Sequence, residues 1–164
     1  MPGNEEDLAL SRRAAAGDSG AFAMLVEKYE RPLRSFLTRM GASDADDVAQ
    51  DAFLKAWRFA GSYDGRARYS TWLTRIAWRC RLDSLRRQRP DEETAGEPSE
   101  HPGEGMEVQD MLARLSDKER AALILCDGHG WTHDEAARLL DVPLGTLKST
   151  VARAKAKCRE MWNA

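Results

Sequence analysis

The chain has 164 residues and a formal net charge of −2, with 25 lysines and arginines against 27 aspartates and glutamates. No apolar run approaches the ~18 to 20 residues of a membrane span, and MPGNEEDLALSRR lacks the apolar segment of a secretory signal, so a cytoplasmic protein without membrane insertion is expected. Cys80, Cys126 and Cys158 are an odd number without a CxxC pair, which argues against a disulfide framework and for reduced thiols.

The first helix is predicted over Glu5–Ala16, with Leu8 and Ala9 on one side, and Gly17-Asp18 marks a break where Asp18 or Ser19 can cap the next. A second helix follows from about Gly20 to Met40. Its apolar positions Phe22, Leu25, Val26, Tyr29, Leu33, Phe36 and Leu37 recur at threes and fours, Pro32 is expected to bend it, and Gly41 to end it. Ser43 and Asp46 resemble a capping box that opens a third helix through DADDVAQDAFLKAWRFA. There Val48, Ala49, Ala52, Phe53, Ala56 and Trp57 can face inward. Asp47, Gln50 and Asp51 then form an outer polar patch that nothing in the sequence neutralises.

GSYDGRAR, residues 61–68, reads as a loop that delivers the chain to a long helix, Tyr69–Arg89, capped by Ser70 or Thr71 and stopped by Pro90. At ~100° per residue, Trp72, Leu73, Ile76, Ala77 and Cys80 share one apolar face. Arg75, Arg79 and Arg86 line up on a second, a row that suits a phosphate backbone. Tyr63, Tyr69, Trp72 and Trp78 stand among Arg66, Arg68, Arg75, Arg79 and Arg81, and bases stack on aromatic rings while arginines hold phosphates. A merely solvated arginine face is the plainer alternative.

From Asp91 to Asp110 there are eight acids and no lysine or arginine, so taking away that −8 leaves the remainder at +6. Two mildly basic parts joined by an acidic connector describe the chain better than one neutral body. PDEETAGEPSEHPGEG has the composition of a flexible linker, and the 17 residues 90–106 would average roughly 23 Å end to end.

Beyond it every segment is helical in pattern. Val108–Leu115 forms a short helix, Ser116 to Glu119 is a capping box for the next, and Thr132 with Glu135 is another after the break at Gly128 and Gly130. After the turn Asp141–Gly145, Thr146 is expected to cap a last helix with Leu147, Val151, Ala154 and Cys158 inward. Two helices joined by a short turn, the second carrying Lys148, Arg153, Lys155, Lys157 and Arg159, match a helix-turn-helix whose second helix enters the DNA major groove. Lys148, Ser149, Thr150 and Arg153 sit near its N-terminal end, where base edges and phosphates are reached.

AGDSGAFAMLVEKYERPL, DADDVAQDAFLKAWR, YSTWLTRIAWRCRLDSLRR, LSDKERAALIL and GWTHDEAARLLDVPLGTLKSTVARAKAK, in that order, resemble the small two-domain extracytoplasmic-function sigma factors of RNA polymerase. The resemblance implies an all-α fold of two small helical domains. A region 2 domain over residues 1–89 binds core polymerase and the −10 element, an acidic linker spans 90–106, and a region 4 helix-turn-helix domain over 107–164 binds the −35 element. It further implies that Asp47, Gln50 and Asp51 bind the clamp helices of the largest polymerase subunit. Ser62, Tyr63, Arg66, Arg68, Tyr69, Arg75 and Arg79 serve the −10 element, where an unpaired base is captured. Thr146, Lys148, Ser149, Thr150, Arg153 and Lys157 serve the −35 element. The expected partners are core polymerase, double- and single-stranded promoter DNA and an anti-sigma factor. Arg79 stands where many relatives carry asparagine and Thr150 where many carry arginine, so no relative's promoter sequence is carried over.

Two other readings fit parts of the pattern. The helix-turn-helix could belong to a stand-alone transcriptional regulator, and Cys126, His129 and His133 in CDGHGWTH have spacings that could suit zinc or a thiol sensor, although a fourth ligand is missing nearby. No phosphate loop and no paired nucleophile and base is present, so neither catalysis nor a cofactor is expected.

Overall fold

A computed structural model describes residues 2–88 and 108–164. The expected linker, 90–106, and the stop at Pro90 lie outside the described residues, among which there is no strand. The chain divides into two compact helical units, the first built on α1 to α4 and the second on α5 to α8.

In the first unit α1 spans Pro2–Ala15, α2 Ser19–Arg39, α3 Ala45–Arg58 and α4 Tyr69–Arg87. Gly17, at φ +95°, turns the end of α1, and the Asp18 N–H reaches back to the Arg13 carbonyl at 3.0 Å. Asp18 then caps α2, its Oδ1 accepting from the Ala21 N–H at 3.1 Å. α2 continues through Pro32 and buries Leu25, Leu33, Phe36 and Leu37. α3 packs along α4, presenting Val48, Ala49, Ala52, Phe53 and Ala56. On α4 the buried stripe is Tyr69, Leu73, Ala77, Cys80 and Ser84, spaced at fours and one three. It lies slightly off the expected face, since Trp72 and Ile76 are only half-buried.

Two expected caps are not formed. α3 begins after Asp44 and α4 after Arg68, neither with a side-chain cap bond. The Asp44 carboxylate is engaged elsewhere: it accepts from the Ser84 hydroxyl and from Gln88 Nε2 at 3.3 Å, and lies 3.6 Å from Arg81. A charge-assisted bond to α4, 40 residues away, outcompetes the local cap.

α1 buries few apolar side chains, chiefly Leu10 and Ala14. A fully buried leucine supplies about 1.5 to 3 kcal/mol, so polar contacts carry much of its register. Asp7, 2% exposed, accepts from the Tyr29 hydroxyl and from Lys28 Nζ at 2.8 Å, and buried Ser11 donates to the Ala60 carbonyl at 3.1 Å.

In the second unit α5 spans Val108–Ala113, α6 Asp117–Leu123, α7 His133–Leu140 and α8 Leu144–Asn163. Both expected capping boxes are present, Ser116 with Glu119 and Thr132 with Glu135. Beyond α6 the coil widens over Ile124–Gly128, where the His129 N–H reaches the Ile124 carbonyl at 3.0 Å. Asp141 takes the left-handed conformation at φ 54°, and the Val142 N–H returns to the Ala137 carbonyl at 3.0 Å, closing α7. α8 starts at Leu144, two residues before the expected cap. Thr146 therefore lies inside the helix, and its carbonyl accepts from Ser149 and Thr150. α6 and α7 both pack on α8, which buries Leu147, Val151 and Ala154 as expected but leaves Cys158 only half-buried.

Candidate polymerase and nucleic-acid interfaces

The first candidate surface is the outer side of α3. With Val48, Ala49 and Ala52 turned into the core, the helical period leaves Asp47 and Gln50 exposed and Asp51 half-exposed. The patch is not free of cations, contrary to the sequence expectation: Arg87 of α4 lies 3.8 Å from Asp51, with both side chains well exposed. Beside it a groove of about 500 Å³ runs between α3 and α4, lined by Asp51, Leu54, Lys55, Arg58 and Arg87, with Cys80 at its floor. Burial pushes the Cys80 thiol up.

The second surface is the segment from Ser62 into α4. Ser62 donates to the Phe59 carbonyl at 2.7 Å, and Asp64 accepts from the Arg66 N–H at 3.0 Å, folding a tight turn that leaves the Arg66 and Arg68 side chains in solvent. Tyr63 and Tyr69 are a correction to the expected base platform, being 4% and 1% exposed. Their rings meet edge to face at 5.2 Å, and Trp72 lies 5.3 Å from each. Aromatic rings at this spacing gain more from one another than from water, which draws them inward. Burial pushes the Tyr63 phenol up to about 12, so it stays a neutral donor. Arg75 is half-buried and Arg79 exposed, and neither forms an ion pair with a described residue, whereas Arg86 lies 3.9 Å from Asp83.

The third surface is α8. Thr146, Lys148, Ser149 and Arg153 are exposed. Thr150 is 9% exposed, donates to the Thr146 carbonyl at 2.7 Å, and accepts from Arg153 Nη2 at 3.5 Å, so it orients the arginine more than it offers a free hydroxyl. Lys157 is turned to the Glu119 carboxylate, at 2.8 and 2.9 Å, and Lys155 to Asp127 at 3.0 Å. Nothing local in the sequence pairs Lys157 with an acid 38 residues away. That bond, then the Ser116 N–H, holds the Glu119 carboxyl below the usual range.

Cys126, His129 and His133 do not converge: among the described residues no three His, Cys, Asp or Glu side chains are placed to hold a metal ion. Burial raises the Cys126 and Cys158 thiols, which leaves them protonated and poorly nucleophilic at neutral pH. No helix among the described residues is long and apolar enough to cross a membrane.

Residues 25–90 match the family described as Sigma-70 region 2, and residues 105–158 that described as Sigma-70, region 4. The ECF RNA polymerase sigma factor SigM of Mycobacterium tuberculosis is 37% identical over 92% of this chain and 82% of its own length. The RNA polymerase sigma-H factor of Pseudomonas aeruginosa is 31% identical over 92% of this chain and 91% of its own. Among solved structures, the sigma factor RpoE of Bartonella quintana, in complex with the anti-sigma factor NepR, has the same fold at a TM-score of 0.70 and 24% identity, covering 87% of this chain and 97% of that one.

Proposed function

This chain belongs to the extracytoplasmic-function sigma factors, which direct RNA polymerase to promoters and are not enzymes, and from that premise we propose which of its surfaces does what. Residues 1–89 bind core polymerase and the −10 element, 107–164 the −35 element, and 90–106 connect them in the cytoplasm. Asp47, Gln50 and Asp51 dock on the clamp helices of the largest subunit, an exposed acid and amide set beside an apolar groove wall at Leu54.

Ser62, Arg66 and Arg68 border the pocket for an unpaired −10 base, Tyr63 and Tyr69 stiffen it from within, and Arg75 and Arg79 hold the flanking phosphates. The observation that carries this reading is the pair Arg75 and Arg79, cations without an intramolecular ion pair among the described residues, on the helix that leaves the loop. Lys148, Ser149 and Arg153 meet the −35 duplex, with Thr146 and Thr150 shaping the helix start and Lys157 fixing α8 to α6. An anti-sigma factor is the further partner, covering the α3 and DNA-binding faces; that a sigma factor of the same fold is held in complex with an anti-sigma factor supports such a partner.

The test is a photo-crosslinker at Arg66 in the holoenzyme, with core polymerase on a promoter mapped from genomic DNA. Crosslinks are expected to the non-template −10 strand of the open complex. Crosslinks confined to duplex DNA, or a footprint formed without core enzyme, would count against the assignment.

A further inference from the structure

The loop that follows α3 is bound along its length by α1, a helix that lies ahead of the Sigma-70 region 2 match at residues 25–90. Asn4 donates from Nδ2 to the Gly65 carbonyl at 2.7 Å. Its Oδ1 lies 2.7 Å from the Tyr63 hydroxyl, which is also 2.8 Å from the Ala67 carbonyl, so one phenolic O–H serves one of two acceptors at the waist of the loop. Ser11 holds the Ala60 carbonyl at 3.1 Å, just ahead of the loop. Between these bonds Leu8 lies against Gly65: a Cβ added there would stand 2.8 Å from Leu8 Cδ2, and φ at Gly65 is +78°. Only glycine meets both conditions without strain.

The loop itself supplies little of this order. Its own turn uses exposed contacts, Asp64 to the Arg66 N–H and Ser62 to the Phe59 carbonyl, which water can replace. Of the half-buried bonds, the one from Tyr63 to Ala67 lies within the loop, and the two made by Asn4 come from α1. α1 in turn is held by Asp7 to Lys28 and Tyr29 of α2, so the support does not depend on the loop. Resting on the assignment of residues 62–68 to the −10 base, we propose that α1 positions the promoter loop. Asn4 holds the Gly65 carbonyl and the Tyr63 hydroxyl so that the pocket is formed before the base arrives, and Leu8 limits the depth to which the loop can settle. A preformed pocket spares the ordering cost at capture and keeps discrimination at one base.

The experiment uses holoenzyme assembled from core polymerase and the full chain. The probe is a 20-nucleotide single strand selected by the wild-type holoenzyme from a randomised pool, with single-base variants of it. Asn4→Ala and Tyr63→Phe are each expected to weaken binding of the selected strand about two- to tenfold, the range of one hydrogen bond, and to flatten preference at one position. The double variant should be weaker than either single one, because Asn4→Ala leaves the Tyr63 hydroxyl its Ala67 acceptor and Tyr63→Phe leaves Asn4 its bond to Gly65. Asn4→Asp keeps the acceptor for Tyr63, sets a carboxylate against the Gly65 carbonyl, and should not rescue. Affinity for core polymerase should be unchanged in all. If Arg68→Ala weakens strand binding while Asn4→Ala and Tyr63→Phe bind and discriminate as wild type, α1 is not a positioning element and the inference is overturned. If Arg68→Ala also binds and discriminates as wild type, the loop assignment itself fails, and the inference with it. Asn4→Ala that loses affinity equally for every strand, with preference intact, likewise overturns it in favour of general packing.

Discussion

Arg79 stands exposed on α4, one turn beyond Arg75, without an ion pair among the described residues, so its removal leaves no buried charge behind. Arg79→Ala is expected to keep core binding and −35 recognition yet slow open-complex formation, with partial rescue on a template already unpaired at −10. Permanganate reactivity of unpaired thymines reports the step, and melting at the wild-type rate would make the row a solvated face. Glu119 presents the opposite case, a carboxylate committed twice, to the Ser116 N–H and to Lys157. Its folded carboxyl sits below the ordinary value of 4.5, so the stability it contributes is present above that value and is lost as pH falls through the lower folded one. Thermal midpoints of wild type and Glu119→Gln should therefore differ at pH 7 and converge below pH 4.5. A gap that widens on acidification would reverse the sign.

Among elements, α8 separates its two faces cleanly. Leu147 is buried against the unit's core, and Leu147→Ala should cost about 2 to 5 kcal/mol, a large share of the stability of so small a domain. Arg153→Ala should leave the melting temperature alone and reduce transcription from promoters that need a −35 element. Normal use of those promoters would displace the recognition helix from α8. Such faces were legible in the sequence because periods of three and four fix them locally, as were the Ser116 and Thr132 capping boxes, whose partners lie three residues apart. The missing cap at Ser43 was not, since Asp44 answers to Ser84 of α4 and to Gln88 just past its end. Tyr63 and Tyr69 read as exposed platforms because interleaved arginines say nothing about which aromatics stack on each other. The bonds from Asn4 to the loop span about 60 residues and had no local signal.

For the whole molecule, the α3 patch should set affinity for core polymerase without setting stability. Asp47 is exposed in the first turn of α3, and the Asp51–Arg87 pair at 3.8 Å is well solvated, so each reversal should cost no more than about 1 kcal/mol. The double variant Asp47→Lys, Asp51→Lys should fold and fail in pull-down with core enzyme; unchanged affinity would remove the docking assignment. The pairing of Lys157 with Glu119 and of Lys155 with Asp127 bears on a different quantity, the number of counterions that DNA gives up when the holoenzyme binds. α8 carries five cations, Lys148, Arg153, Lys155, Lys157 and Arg159, which if all met phosphates would give log affinity against log salt a slope of about −4.5 from this helix. Two of them already neutralise the protein's own acids, so the helix should release ions for three, a slope of about −2.7. Titrating holoenzyme binding to a −35 duplex should then show Arg153→Ala shallower by about 0.9 and Lys157→Ala unchanged, because a lysine already paired within the protein leaves the ion on its phosphate.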